Sequence, residues 1–169
     1  MVSEKDCIQQ KSAKLDFAGS TNQDLLKSKI SEHATKGCIF CKIVKGEIPS
    51  NKIYEDNEFL AFLDIAPVNP GHALVIPKLH CKNLLDFPKA EETDLLEFIK
   101  KVAKAVVKAT KAEGFNLGMN NGRVAGQLVD HAHFHIIPRF SGDGCKHWPK
   151  KDYKEGEMEE VMKKIKNFL

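Results

Sequence analysis

Three of the seven histidines fall within five residues, His131, His133 and His135, with Ala132 and Phe134 between them. Successive side chains of an extended strand point to opposite faces, so this spacing puts all three imidazoles on one side. Ala132, Phe134 and Ile136 then face the other way, toward a core. Core packing accounts for the apolar set and leaves the imidazoles unexplained. Three readings are open: structural histidines, a metal site, since imidazole is the commonest zinc ligand, or a nucleophile with acid–base helpers. The loop just before them runs from Asn120 through Asn121, Gly122, Arg123 and Gly126 to Gln127. Backbone N–H groups unobstructed at glycine, amide side chains and one guanidinium suit anionic oxygens. An ordinary Gly/Asn hairpin loop has the same composition. An imidazole beside a phosphate cradle points to attack at phosphorus, through a phosphohistidine labile to water.

A second constellation is Cys38 and Cys41. Two thiolates three residues apart clasp one face of a tetrahedral zinc and need two further ligands. The alternative is two buried thiols acting as small hydrophobes. His80, at the end of an apolar stretch, and His131 are candidates to complete the set.

These groups need a scaffold. Ile53 and Tyr54, Phe59 to Leu63, His72 to Ile76, Phe115 to Met119 and His131 to Ile137 read as strands, with Asn69-Pro70-Gly71 as a turn and Pro77 and Pro138 as strand ends. Residues 91–112 give the clearest helix, with Leu95, Leu96, Ile99, Val102, Ala103, Val106 and Val107 on one stripe. Gly114 is placed to stop it. From about residue 152, Met158, Val161, Met162 and Ile165 suggest a C-terminal amphipathic helix. Short strands flanking one long helix make an α+β domain with a mostly antiparallel sheet. Residues 1–34 are polar and read as an extension or surface helix; the compact domain is expected over 35–169.

Composition excludes several classes. With 42% hydrophobic and 29% charged residues over 169 positions, the chain has an ordinary globular balance. No apolar run approaches the ~20 residues that span a bilayer, so no membrane association is expected. The 26 basic residues include only two arginines, Arg123 and Arg139, and the net charge is +3. Arg-based base readout is therefore not expected, and nucleic acid is not a predicted partner. Five cysteines, an odd number, and an N-terminus with no apolar stretch fit a reducing compartment, the cytoplasm, with the nucleus open to it.

With these motifs in view the chain resembles the histidine triad (HIT) family of nucleotide hydrolases and transferases. The resemblance rests on His131 to Ile137, on Cys38 to Ser50, Phe62 to Pro67, Pro70 to Lys78 and Asn121 to Gln127, in family order over residues 37 to about 144. It is strongest to the Hint branch, whose members hydrolyse nucleoside phosphoramidates. It implies a five-stranded sheet with one long helix and a C-terminal helix, a homodimer with a continuous sheet, and a purine nucleotide substrate.

Carried over residue by residue, His133 resembles the nucleophile. His135 and His72 resemble the imidazoles on the phosphate and leaving-group side, and Gln127 and Asn120 the amides that contact phosphate and order the loop around Gly126. Asp64 resembles the carboxylate that receives the ribose hydroxyls; Ile39, Phe40, Ile48, Phe62 and Leu74 stand where the family builds its purine cleft. In members with the Cys pair, zinc is held by positions resembling Cys38, Cys41, His80 and His131, which implies a closed structural site. Leu128 departs from the pattern, standing where animal phosphoramidases carry a Ser that helps protonate the leaving amine, and Asp130 is more acidic than usual there. Two other roles stay open: hydrolysis of dinucleoside polyphosphates, and a nucleotide-binding adaptor of the kinase-interacting kind, with an unidentified protein partner.

Overall fold

The computed structural model describes residues 37–87, 92–146 and 148–169. The expected extension, with Cys7 and His33, and also His147, lie outside the described residues. The chain divides into two compact units, one ending at Arg139 and the other comprising Phe140–Leu169.

The first unit is an antiparallel sheet with helices on both faces. Its elements are α1 (Ile39–Val44), β1 (Lys52–Glu55), β2 (Phe59–Leu63), β3 (Ala73–Pro77), α2 (Glu92–Thr110), β4 (Gly114–Gly118) and β5 (Phe134–Arg139). The strand order is β1-β2-β3-β5-β4, every pairing antiparallel. The expected five-stranded α+β architecture is present.

Strands β2 and β3 are almost wholly buried, because both of their faces are covered. Phe59, Ala61, Ala73 and Val75 pack with Leu95, Phe98, Ile99, Val102, Ala103 and Val106 of α2. The alternate residues Leu60, Phe62, Leu74 and Ile76 pack with Phe40, Cys41 and Ile43 of α1. Ala132 and Ile136 join the α2 cluster and Phe134 packs against it, so the apolar partners of the triad take the face that alternation predicts.

Four expectations are adjusted. The last strand begins at Phe134 rather than His131, and continues through Pro138 to Arg139. Pro138 is tolerated there because β3 pairs only Phe134 to Ile136, and the Pro138 carbonyl is used by the Asn69 side chain instead. Residue 96 is not on the buried stripe of α2: Leu96 is 55% exposed and Phe98 takes its place. The helix ends at Thr110, before Gly114. Lys111 adopts the left-handed conformation (φ 57°), and Ala112 N–H reaches back to Val107 O, the Schellman closure that usually employs glycine. Helix α1 itself escaped the sequence reading.

In the second unit, α3 (Glu157–Lys166) carries Glu157, Glu159 and Glu160 in its first turn and Lys163, Lys164 and Lys166 in its last, matching the helix dipole at both ends. It starts later than the expected residue 152, after the left-handed Gly156. Among the described residues, no helix is long and apolar enough to cross a membrane.

Candidate active site and metal-ligand set

The three histidines reach the same face of the sheet but enter two environments. His133 and His135 lie 5.1 Å apart, ring centre to ring centre, and line a cleft of about 690 Å³. His131 is fully buried behind them among the cysteines. Phe40, on α1, stands edge-on to both His131 (5.8 Å) and His133 (5.3 Å) and so keys α1 to the triad segment.

Each imidazole has its tautomer set by a fixed partner. The Nδ1–H of His133 donates to the backbone carbonyl of His131 at 2.7 Å. A carbonyl only accepts, so neutral His133 keeps a lone pair on Nε2, as a nucleophile requires. His72 is held differently: the Val68 N–H donates to its Nδ1 at 3.2 Å, which leaves the His72 proton on Nε2. That Nε2–H donates to His135 Nδ1 at 2.9 Å, placing the His135 proton on Nε2. Asp64 Oδ2 lies 3.6 Å from His72 Nδ1, and Asp64 Oδ1 accepts the Ala66 N–H. Burial is the first cause that lowers the His72 pKa, with Asp64 opposing it. Burial, then the neighbouring His133 and His72, lower that of His135 to about 4. Both rings are therefore neutral at pH 7.

The cleft floor is apolar. Ile39, Phe40, Phe62, Leu74 and Ile48 all line it, with Asp64, Asn120, Gly126, His72 and Leu128 around them. Phe40 and Phe62 meet edge to face at 5.7 Å. The expected purine-side and ribose-side residues are thus brought together with the expected nucleophile.

Gln127 is not among the lining residues. It is fully buried, its Oε1 accepts the Gly122 N–H at 2.7 Å, and its amide hydrogens go to the carbonyls of Lys82 (2.6 Å) and Val129 (3.0 Å). Its side chain is spent on ordering the loop. The loop's own N–H groups at Ala125, Gly126 and Gln127 are likewise bonded to Gly122 and Arg123 carbonyls. The expected cradle is consequently narrower than the composition suggested. Asn120 Nδ2 points to the Gly126 carbonyl at 3.4 Å.

Behind the triad, Cys38, Cys41, His80 and His131 place one donor atom each within 4.8 Å of the others. Cys38 Sγ to His131 Nδ1 is 3.4 Å, Cys41 Sγ to His80 Nδ1 is 3.3 Å, Cys41 Sγ to His131 Nδ1 is 3.6 Å, and the two Nδ1 atoms are 3.3 Å apart. Tetrahedral zinc, with Zn–S near 2.3 Å and Zn–N near 2.0–2.1 Å, requires donor separations of roughly 3.3–3.8 Å. The donor set fits. His131 is also oriented for it, since its Nε2 is committed to the Pro77 carbonyl at 2.9 Å and Nδ1 faces the thiols. Burial lowers the His131 pKa to about 4, so the ring is an available neutral ligand. Cys38 caps α1, accepting the Cys41 N–H on its sulfur; this short helix is what turns both sulfurs to one side. The sequence signal for it was present in the Cys38–Cys41 spacing, which is one helical turn.

The sequence profile of the HIT domain matches residues 45–142. Adenosine 5′-monophosphoramidase of Schizosaccharomyces pombe is 53% identical over 102 residues, spanning 60% of this chain and 74% of that protein. The crystal structure of a HIT family member from Bacillus subtilis superposes with a TM-score of 0.72 at 42% identity, covering 79% of this chain and 97% of the other. A zinc-bound histidine triad protein from Mycobacterium smegmatis superposes with a TM-score of 0.63 at 34% identity, covering 80% and 99%. Sequence profile, relatives and fold agree: the chain belongs to the HIT family, within its Hint branch.

Proposed function

We propose that the chain hydrolyses purine mononucleotide conjugates at the α-phosphate through a nucleotidyl–histidine intermediate, with nucleoside phosphoramidates as the preferred class. Family membership makes it a nucleotide hydrolase. The observation that carries the finer reading is the His133 lone pair on Nε2, fixed by the bond from Nδ1 to the His131 carbonyl. Nε2 attacks phosphorus and the P–N bond breaks, its electron pair leaving with nitrogen. That nitrogen takes the proton from His135 Nε2. Water then attacks phosphorus, the P–His133 bond breaks, and AMP or GMP is released while the water proton returns to His135. The base lies against Ile39, Phe40 and Phe62, and the ribose hydroxyls reach Asp64. Asn120 and Gly126 border the phosphate, and Gln127 keeps their loop in place.

The reading includes a structural zinc on Cys38, Cys41, His80 and His131, supported by the donor separations. When bound, the ion would tie α1 to the triad segment through four protein ligands, leaving no coordination position for water. It also includes a homodimer with a continuous sheet. Strand β4 ends the sheet, and its Phe115 and Leu117 are 44% and 46% exposed, a surface suited to pairing with a second copy.

Hydrolysis of adenosine phosphoramidate by the wild type and by His133→Ala tests the assignment. The variant should bind AMP yet lose turnover, and rapid quenching of the wild type should reveal a nucleotidyl adduct on His133 by mass. Near wild-type turnover in His133→Ala would overturn it.

A further inference from the structure

The cleft lined by His133 and His135 has no lysine or arginine among its described lining residues, and Asp64 is its one carboxylate. Nothing in it neutralises a charge carried beyond the phosphorus. A second cavity of about 720 Å³ adjoins it, and Ile39, Leu128 and Val129 line both. Leu128 is 87% exposed, so the shared wall is a low apolar rim rather than a partition.

The second cavity has a different character. Arg123, Lys82, Asp86 and Asp130 all line it. Lys82 Nζ and Asp130 Oδ2 lie 3.8 Å apart and largely offset each other. Arg123 has no hydrogen-bond or ion-pair partner for its guanidinium among the described residues. It opens a short 3-10 turn (Arg123–Ala125) between Gly122 and Gly126, both at positive φ, and Gly126 is itself a cleft residue. The turn that reaches the cleft at Gly126 therefore places Arg123 in the wall of the neighbouring cavity.

We infer that this second cavity is the leaving-group subsite, and that it selects an amine bearing a carboxylate, held by Arg123. The inference rests on the nucleotide reading above and names the substrate class more closely. With the base in the apolar end of the cleft and phosphorus at His133, the remaining substituent crosses the rim at Leu128. A planar guanidinium pairs with a carboxylate through two parallel N–H···O bonds. An aliphatic stem between amine and carboxylate would lie on Leu128 and Val129. The same walls disfavour a polyphosphate chain: Lys82 and Asp130 offset each other, and Arg123 with Asp86 in the same cavity leaves too little positive charge for repeated negative groups. When the P–N bond breaks and nitrogen leaves with its electron pair and a proton, the ammonium formed at neutral pH has these two carboxylates nearby. The leaving group's own carboxylate is unchanged by the reaction.

The test uses the full chain as purified and two adenosine 5′-phosphoramidates of matched length, one made from β-alanine and one from n-propylamine. Diadenosine triphosphate is the third substrate. Wild type should favour the β-alanine conjugate in kcat/KM by about tenfold, the scale of one partly solvated charged hydrogen-bonded pair. Arg123→Gln should reduce that ratio to near one, Arg123→Lys should restore part of it, and added salt should shrink it in wild type. A wild-type ratio near one, or a ratio that Arg123→Gln leaves intact, overturns the subsite. Faster cleavage of diadenosine triphosphate, lost in Arg123→Gln, overturns the carboxylate in favour of a polyphosphate. Failure of the nucleotide reading looks different: none of the three substrates is turned over.

Discussion

His72 Nε2 lies 2.9 Å from His135 Nδ1, and the direction of that hydrogen bond is dictated by the backbone, because the Val68 N–H already occupies His72 Nδ1. The consequence is a one-way chain: Val68 N–H to His72, His72 Nε2–H to His135, and a proton left on His135 Nε2. In the reaction proposed above, Leu128 offers no hydroxyl, so the proton for a departing amine is assigned to His135, with His72 as the residue that positions it.

This relation makes the two amide substitutions at His72 unequal. The Gln amide nitrogen falls near the imidazole Nε2 and can still donate to His135; the Asn amide falls near Nδ1 and cannot. For an alkylamine leaving group, His72→Asn should lower kcat by about 10²-fold or more, the lower range for general acid catalysis. His72→Gln should retain much of it. With adenosine 5′-(p-nitrophenyl phosphate), whose leaving group departs without a proton, the two variants should differ little. Equal losses on both leaving groups would show that His72 acts on something other than proton delivery.

The pH behaviour follows from the same burial. His135 titrates near 4 and His72 below its ordinary value, so the native state binds fewer protons than the unfolded chain between about pH 4 and 6.5. Stability then rises with pH through that window and is lost as pH falls toward 4, by at most about 3 kcal/mol for His135. NMR titration should place the His135 ring midpoint near 4, and urea unfolding at pH 7 and pH 5 should show the lower midpoint at pH 5. A His135 midpoint near 6.5 would contradict the burial argument.

Much of the site was legible because strand geometry is rigid. A spacing of two is enough to send His131, His133 and His135 one way and Ala132, Phe134 and Ile136 the other, whatever the register. Depth was legible only through the family resemblance, which assigned His131 to the cysteine pair. Cys38 and His131 meet across 93 positions, and the spacing of two by itself does not separate His131 from His133 and His135. Gln127 shows the same limit from the other side. A loop amide next to glycines suits phosphate, and only the positions of the Lys82 and Val129 carbonyls show that both of its hydrogens are taken. The stop of α2 differs from the one Gly114 suggests because a local backbone closure, Ala112 N–H to Val107 O with Lys111 left-handed, ends the helix without a glycine.

Metal removal should affect stability before chemistry. In the metal-free chain, burial first and then Cys38 push the Cys41 thiol up to about 12, so this ligand stays protonated until a cation displaces the proton. Zinc uptake should therefore release protons and weaken as pH falls. Protein purified without added metal is expected to carry about one zinc per chain by elemental analysis. At a thousandfold excess over Kd the ion contributes about 4 kcal/mol, or roughly 10 °C in Tm. Chelation, or Cys41→Ala, should remove both the zinc and that increment while His133 remains able to form the adduct. Less than about a tenth of an equivalent of zinc would refute the site.

The last prediction concerns Gly71, which lies outside the cleft yet carries His72. Its φ is +89°, and a Cβ built there would stand 2.5 Å from Thr110 Cγ2 and 3.4 Å from Pro138 Cγ. The turn is pinned on its other sides by His72 N–H to Asn69 O and by the Asn69 amide to Pro138 O. Gly71→Ala must therefore adopt a left-handed backbone and displace the last residue of α2 together. About 1–2 kcal/mol for the conformation and a further 1–3 kcal/mol for the overpacking are expected. Thr110→Ser removes the offending methyl group, so Gly71→Ala/Thr110→Ser should recover the second cost and leave the first. A double-mutant cycle in urea unfolding measures this, and full additivity would show that the Thr110 contact is not the cause. Because His72 follows directly, the single variant should also lose the leaving-group discrimination described above, and the double variant should regain part of it.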